Sequence, residues 1–229
     1  MKEELDDLEL KPEALALASE YADDWYRDDL NSPQRLGKER ARKIAKEVSS
    51  LSGKPLEELR FLDLGAGRGR FILDFRQAGV QAFGVERNAY SLKSCYEPIK
   101  PYMYLMDITN TQILGEGSFD IIYTNTINEL CKEDRSPFFK EIYRLLSKNG
   151  LFVFIFPERE IYEYWMNEAP MKREKYTFFR GGNWVSRNEV MQLADMAGFD
   201  LFKSPPIENM LNGELSDDRC FTWYLFKKL

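Results

Sequence analysis

The stretch that decides the fold runs from residue 60 to residue 70 and reads RFLDLGAGRGR. Its first half, Arg60–Leu64, is short and mostly apolar, which predicts a buried strand that leads directly into a turn. Glycines in that turn permit positive φ and a close approach of the main chain to a ligand. The helix expected next would present free N–H groups at its N-terminus. The segment therefore predicts a strand–turn–helix unit whose turn lies against a bound molecule.

Beyond this unit, short apolar runs alternate with helical patterns as far as the C-terminus. The six further strands are expected at Gln81–Val85, Tyr102–Met106, Phe119–Thr124, Leu151–Phe156, Phe199–Lys203 and Phe221–Phe226. Such alternation predicts a doubly wound, mostly parallel seven-stranded sheet with helices on both faces. No long helical pattern separates the last two strands, so the last strand is expected to pair antiparallel at the edge.

Three sequence signals mark the boundaries of two helices. Ser136-Pro137 predicts a helix start, with the serine as cap and the proline as first residue, and Asn149-Gly150 predicts its left-handed stop. Ser186 and Glu189 form the sequence of a capping box, and Gly198 is expected to close that helix.

The chain is also expected to carry two lid-like additions. Residues 1–55 contain helical patterns, and we predict that they form a helical cap or lid in front of the main domain, residues 56–229. The 27-residue connection 158–184 is unusually aromatic, and long connections in α/β folds often carry function. Candidate substrate-lid residues in these two regions are Tyr21, Trp25, Tyr26, Tyr162, Trp165, Phe178 and Trp184.

Composition narrows the function. The 229 residues carry a net charge of -6, which makes nonspecific nucleic-acid binding an unexpected main activity. No apolar run approaches the ~20 residues of a membrane span, and the acidic N-terminus does not resemble a secretory signal. Three scattered cysteines favour reduced thiols and a cytoplasmic location. The chain contains no histidine, which excludes Ser-His-Asp and Cys-His catalysis and HExxH zinc hydrolysis, so no metal site is expected.

Two acidic residues stand at predicted strand ends. Glu86 lies 21 residues after Gly65, the spacing of a carboxylate that bridges a ribose diol. Asp107 follows the third strand and would lie farther along the same crevice, where it can accept a hydrogen bond from an exocyclic amine. Together with the glycine turn they describe a pocket for an adenosine-like ligand. A dinucleotide fingerprint would need Gly or Ala where Arg70 stands, and no P-loop sequence occurs.

This series resembles the motifs of class I S-adenosylmethionine-dependent methyltransferases. Residues 63–69 (DLGAGRG) are similar to the first motif of that family, and Gly84-Val85-Glu86 to its ribose-binding acid. Further similarities are Met106-Asp107-Ile108 to the adenine-contacting segment, residues 117–120 to the start of the fourth strand, and residues 145–151 to the turn into the fifth.

The resemblance implies S-adenosyl-L-methionine as cofactor and S-adenosyl-L-homocysteine as product. It places Gly65, Ala66 and Gly67 near the methionine portion, Glu86 at the ribose hydroxyls and Asp107 at the adenine amine. It also assigns ring packing to Ile108, a position beside the ligand to Arg87 and Asn125, and loop anchoring or amino-group contact to Asp63.

Methyl transfer from a sulfonium needs mainly positioning and desolvation, which suits a chain without histidine. The segment after the fourth strand carries Asn128 and Glu129, where many relatives have histidine, and these are the candidate catalytic residues. The favoured reading is a methyltransferase for N or O of a small molecule, as a monomer or homodimer without a membrane. A noncatalytic cofactor-binding partner subunit, an RNA or protein methyltransferase, and an NAD-linked reductase stay open as alternatives.

Overall fold

The computed structural model describes residues 38–108, 111–125, 134–156, 159, 185–203 and 222–229. The chain divides into two compact units, Met1–Ile113 and Leu114–Leu229. The predicted N-terminal lid residues and those of the 158–184 connection lie outside the described residues. Within the described part, no helix has the length and apolar character that crossing a membrane requires.

The first unit contains three parallel strands and their helices. In chain order its elements are α1 (Lys38–Ser52), β1 (Arg60–Leu64), α2 (Arg70–Gln77), β2 (Gln81–Glu86), α3 (Ala89–Lys93) and β3 (Met103–Leu105). β2 lies between β1 and β3 and pairs in parallel with both. The predicted third strand is shorter than expected because a 3₁₀ helix with two prolines, Glu97–Tyr102, runs up to its first residue.

Apolar packing fixes α2 on the sheet and α1 on α2. The rings of Phe61 in β1 and Phe75 in α2 stack with their centroids 3.8 Å apart. Ala41, Ala45 and Val48 recur at helical spacing on α1 and are fully buried, which is the pattern of a helix with one apolar face. The glycine turn between β1 and α2 is therefore held at both ends by buried elements.

The second unit contains the other four strands. In chain order its elements are β4 (Phe119–Asn125), α4 (Ser136–Leu145), β5 (Leu146–Phe156), α5 (Arg187–Ala197), β6 (Phe199–Lys203) and β7 (Thr222–Lys228). β4 and β5 are parallel, and β7 runs antiparallel to both β5 and β6. The strand order is β3-β2-β1 in the first unit and β4-β5-β7-β6 in the second, and these seven mostly parallel strands confirm the predicted fold class.

The position predicted for the last strand is wrong in one respect. β7 is antiparallel as expected, but it lies between β5 and β6, and β6 is the edge strand. Tyr224 and Phe226 on β7 are fully buried, whereas Leu201 and Phe202 on β6 are about two-fifths exposed, at 42% and 41%. The more deeply buried aromatic strand takes the inner position, where both of its edges are paired.

Two of the predicted helix signals are also misplaced. Ser136 is the first residue of α4 and Arg135 is its N-cap; Ser136 donates its N–H to Asp134 Oδ1 at 3.0 Å. α4 ends at Leu145, four residues before Asn149, whose φ of 63° belongs to the bent start of β5. The third signal is confirmed, since Ser186 caps α5 and Gly198 ends it with a φ of 96°.

Candidate functional site

The turn after β1 has the conformation that its glycines predict. Gly65, Gly67 and Gly69 have φ values of 79°, 55° and 81°, in the left-handed region that residues with a Cβ rarely adopt. The N–H groups of Gly65 and Ala66 both donate to Val85 O, at 2.9 and 3.0 Å. These two bonds tie the start of the turn to the end of the neighbouring strand β2.

Close packing explains two of the glycines independently of φ. A Cβ on Gly69 would lie 2.1 Å from Ile99 Cδ1, and a Cβ on Gly84 would lie 2.2 Å from Ile72 Cδ1 and 2.8 Å from Ala66 Cβ. Gly84 therefore lets the turn and α2 approach the middle of β2. The sequence showed Gly84 only as part of a motif, and its steric role becomes visible in the structure.

The Glu86 carboxylate is held by main-chain donors on both of its oxygens. Gly67 N–H donates to Oε2 at 2.9 Å and Asn88 N–H donates to Oε1 at 2.8 Å. The side chain is half-buried at the end of β2. Since a carboxylate oxygen can accept more than one hydrogen bond, both oxygens keep acceptor capacity for hydroxyl groups of a ligand.

A second carboxyl group, that of Asp63, is buried close to Glu86. Asp63 is 2% exposed, and its Oδ2 has no hydrogen-bond partner among the described residues. Burial raises the pKa of Asp63 well above its usual range, and the negative charge of Glu86 raises it further. In the described part of the chain, neither carboxyl forms an ion pair with a lysine or arginine. The site is therefore rich in acceptors and lacks a compensating positive charge.

The residues that follow β3 lie next to the end of β2, where Glu86 stands. Met106 N–H donates to Glu86 O at 3.0 Å, which extends the pairing of the two strands by one residue. The next residue, Asp107, is exposed, and Ile108 after it is 6% exposed. Asp107 thus directly follows the residue whose N–H donates to Glu86 O, two positions after the last residue of β3. Two other predicted cofactor residues flank the site, with Arg87 exposed and Ala66 buried.

Three further predicted residues follow later in the sequence. Asn125 is the last residue of β4 in the second unit and is half-buried. Asn128 and Glu129, the candidate catalytic residues, lie outside the described residues. Among the residues that the structure describes, no cluster of three or more cysteine, aspartate or glutamate side chains could hold a metal ion.

Asn88 is a site residue that the sequence analysis missed. Besides donating its N–H to Glu86, it caps α3 by accepting from Tyr90 N–H at 2.9 Å and Ser91 N–H at 3.4 Å. The available signal was its type, because asparagine is a preferred N-cap residue. Its cap fixes the main chain that positions the Glu86 carboxylate.

Three features define the class of protein. They are a parallel sheet, a left-handed glycine turn after β1, and an acceptor carboxylate at the end of β2. They describe a Rossmann-like protein that binds a nucleoside at the carboxyl ends of its strands.

Comparison with known proteins gives a family-model match for part of the chain and similar folds for most of it. Residues 62–154 match the family model described as a methyltransferase domain. No curated protein matches the sequence. The chain is similar to the solved structure of an S-adenosylmethionine-dependent methyltransferase from Thermotoga maritima, described as a possible histamine N-methyltransferase (20% identity, 94% of this chain and 100% of that chain, TM-score 0.58). It is also similar to the structure of a TehB-like methyltransferase from Corynebacterium glutamicum (18% identity, 93% of this chain and 99% of that chain, TM-score 0.61).

A third similar structure is the complex between the Trm112 methyltransferase activator and a putative methyltransferase from Haloferax volcanii (16% identity, 95% of this chain and 98% of that chain, TM-score 0.62). At these identities the likeness concerns the fold. The chain therefore has the fold of the class I, Rossmann-like S-adenosylmethionine-dependent methyltransferases, and residues 62–154 match a methyltransferase domain.

Proposed function

We propose that this protein transfers a methyl group from S-adenosyl-L-methionine to a nitrogen or oxygen atom of a small molecule, releasing S-adenosyl-L-homocysteine. The observation that carries the cofactor assignment is the Glu86 carboxylate, which two main-chain N–H groups hold at the end of β2 with acceptor capacity left over. A ribose diol offers two adjacent hydroxyl donors, which match the two oxygens of one carboxylate.

The residues present fit this cofactor. Glu86 would hold the ribose hydroxyls, and the exposed Asp107, just after the neighbouring strand β3, would accept from the adenine amine. The left-handed glycine turn would lie against the methionine portion. The buried Asp63 Oδ2, which lacks a partner among the described residues, supplies an acceptor for a positively charged group. This fit supports the roles that the family resemblance implies for Gly65, Ala66, Gly67 and Ile108.

The bound cofactor supplies an already activated methyl group on a sulfonium sulfur. The chain's task is to hold the acceptor in line with that group and to exclude water, because positioning supplies most of the acceleration in such a displacement. An amine with a free lone pair, or an acidic hydroxyl, needs little help from a base. A chain without histidine is adequate for that chemistry.

A small-molecule acceptor is supported by the chain's negative charge, which disfavours nucleic acid as substrate. The similar protein from Thermotoga maritima, described as a possible histamine N-methyltransferase, points in the same direction. We propose Glu129 and Asn128 as substrate-orienting residues, and the aromatic residues of the N-terminal segment and of the 158–184 connection as the acceptor's walls.

Two measurements in sequence test the proposal. Calorimetric titration should show binding of S-adenosylhomocysteine, and methyl transfer from labelled S-adenosylmethionine should then appear with some members of a panel of small amines, phenols and carboxylic acids. Absence of binding to the folded protein would contradict the cofactor assignment. Binding with transfer to protein or RNA instead would contradict the small-molecule acceptor, and binding without any transfer would favour a noncatalytic subunit.

A further inference from the structure

The least compensated group in the site is the Asp63 carboxyl. It is buried on β1, paired in register with Gly84 of β2 and thus two residues from the Glu86 position on that strand. Its Oδ2 is without a hydrogen-bond partner among the described residues. An ionised carboxylate in such surroundings is far more costly than a neutral carboxyl. This arrangement disfavours the charged form until a positive charge arrives.

We propose that the methyl donor binds with release of a proton, because Asp63 is protonated in the free protein and ionises when the ammonium group of the donor's methionine portion enters the site. The proposal rests on the proposed function, since it requires that the donor binds beside the glycine turn. It adds a regulatory property to that site, namely an affinity for the donor that depends on pH.

The neighbouring Glu86 carboxylate supports this proposal. Its two oxygens each accept a main-chain N–H. Its negative charge opposes a second one on Asp63. Burial and Glu86, in that order, raise the pKa of Asp63, in agreement with the geometry.

The other charged groups on the elements around β1 have partners elsewhere. On α2, Arg70 Nη2 pairs with Asp74 Oδ1 at 3.2 Å. Arg76 Nη1 donates to Ala82 O at 3.0 Å. In the glycine turn, Arg68 Nε donates to Ser94 O at 2.9 Å. Among the described residues, none of these contacts brings a positive charge to Asp63, and a bound ligand with an ammonium group would supply the cation that stabilises its ionised form.

The direction of the pH dependence follows from linkage. A bound cation lowers the pKa of Asp63, so between its pKa in the complex and its raised pKa in the free protein, binding releases a proton. Within that window the affinity for the donor rises with pH, by at most about tenfold per pH unit. Above the pKa of the free protein the dependence disappears, because Asp63 is then ionised before binding.

Isothermal titration calorimetry with S-adenosylhomocysteine tests this directly, in pairs of buffers that differ in ionisation enthalpy. Measurements between about pH 5 and pH 7 stay below the range in which a free α-amino group titrates. The wild-type protein is expected to release a measurable fraction of a proton, up to about one. Asp63→Asn is expected to release none, and its affinity should not vary with pH through this group.

A second probe does not depend on the variant's folding. 5′-Methylthioadenosine has the nucleoside half of the ligand but lacks the ammonium group, so the wild-type protein should bind it without releasing a proton. Equal proton release with both ligands, or equal release in wild type and Asp63→Asn, would overturn the inference. If S-adenosylhomocysteine binds with no proton release at any pH in this range, the inference fails while the cofactor assignment stands. Lack of any binding contradicts the proposed function itself.

Discussion

Two glutamates, one in each unit, have carboxylates with different kinds of partner groups. Glu86 at the end of β2 receives a main-chain N–H on each carboxylate oxygen, from Gly67 and Asn88. Glu189 in the first turn of α5 receives an arginine on each: Arg135 Nη1 binds Oε1, and Arg159 Nη2 lies 3.9 Å from Oε2. Each carboxylate therefore has a partner group at both of its oxygens.

The difference lies in charge. The Glu189 carboxylate faces two arginines, and the buried Arg135 beside it is only 5% exposed, so the negative charge of the carboxylate is compensated within the protein. Glu86 faces neutral amides, and its charge raises the pKa of the buried Asp63 carboxyl beside it. A neutralised carboxylate stabilises a fold, whereas an uncompensated one with free acceptor capacity is suited to a ligand that brings hydroxyl donors and positive charge.

The largest expected effect is on stability, from Glu189→Ala. The change leaves the buried Arg135 guanidinium without its carboxylate, and breaking a buried ion pair from one side is strongly destabilising. Because Glu189 is itself 32% exposed, we expect a loss of about 2 kcal/mol in the free energy of unfolding, below the full penalty of a buried pair. Urea denaturation measures it. S-adenosylhomocysteine affinity should stay within about twofold of wild type. A large loss of affinity in the folded variant would contradict the assignment of Glu189 to stability and of Glu86 to ligand binding.

Glu86→Ala is expected to reverse the pattern of Glu189→Ala, with a large effect on ligand binding and a small effect on stability. S-adenosylhomocysteine should bind about 10-fold more weakly or worse, because the ribose hydroxyls lose charge-assisted hydrogen bonds. The free energy of unfolding should fall by about 1 kcal/mol, since two main-chain hydrogen bonds to a half-buried carboxylate are lost. Calorimetry and urea denaturation on the same preparation give both numbers. Unchanged affinity would remove Glu86 from the site.

The third prediction concerns the pH dependence of stability through Asp63. Its folded-state pKa lies above its unfolded-state pKa, so the folded protein binds more protons between the two values and its stability falls as pH rises through that window. Asp63→Asn removes this loss. The ligand-free variant should be more stable than wild type near neutral pH, with the difference shrinking towards acid pH. A difference that is independent of pH would show that Asp63 does not titrate there.

Arg159→Ala should have the smallest effect and sharpens the comparison within the Glu189 cluster. Arg159 is 43% exposed and lies 3.9 Å from Glu189, and such solvent-exposed pairs contribute little. We expect a change within about 0.5 kcal/mol in the free energy of unfolding. A loss as large as that from Glu189→Ala would mean that Arg159, rather than the buried Arg135, neutralises the carboxylate.

The sequence predicted the fold and the site where the signals are local. β1 and α5 begin and end close to the predicted residues, because apolar runs, a serine cap and a terminal glycine act within a few positions. The turn conformation of Gly65, Gly67 and Gly69 was predicted for the same reason. Glu86 was placed at its strand end by its spacing from the glycine turn.

The errors and omissions depend on contacts between distant parts of the chain. The carboxylate of Glu189 binds Arg135, 54 residues away, and no local pattern reports such a partner. The inner position of β7 depends on its pairing with both β5 and β6. Asn149 has the predicted left-handed φ, but whether it ends a helix or bends a strand is decided by pairing with β4.

The most direct test of the account is a crystal structure of the protein with S-adenosylhomocysteine. The account predicts that the Glu86 carboxylate accepts hydrogen bonds from both ribose hydroxyls while still accepting the N–H groups of Gly67 and Asn88, with the ligand's ammonium group on the side of Asp63. A ligand whose ribose lies away from Glu86, or a Glu86 side chain that contacts no ligand atom, would contradict the central claim that this uncompensated carboxylate binds the methyl donor.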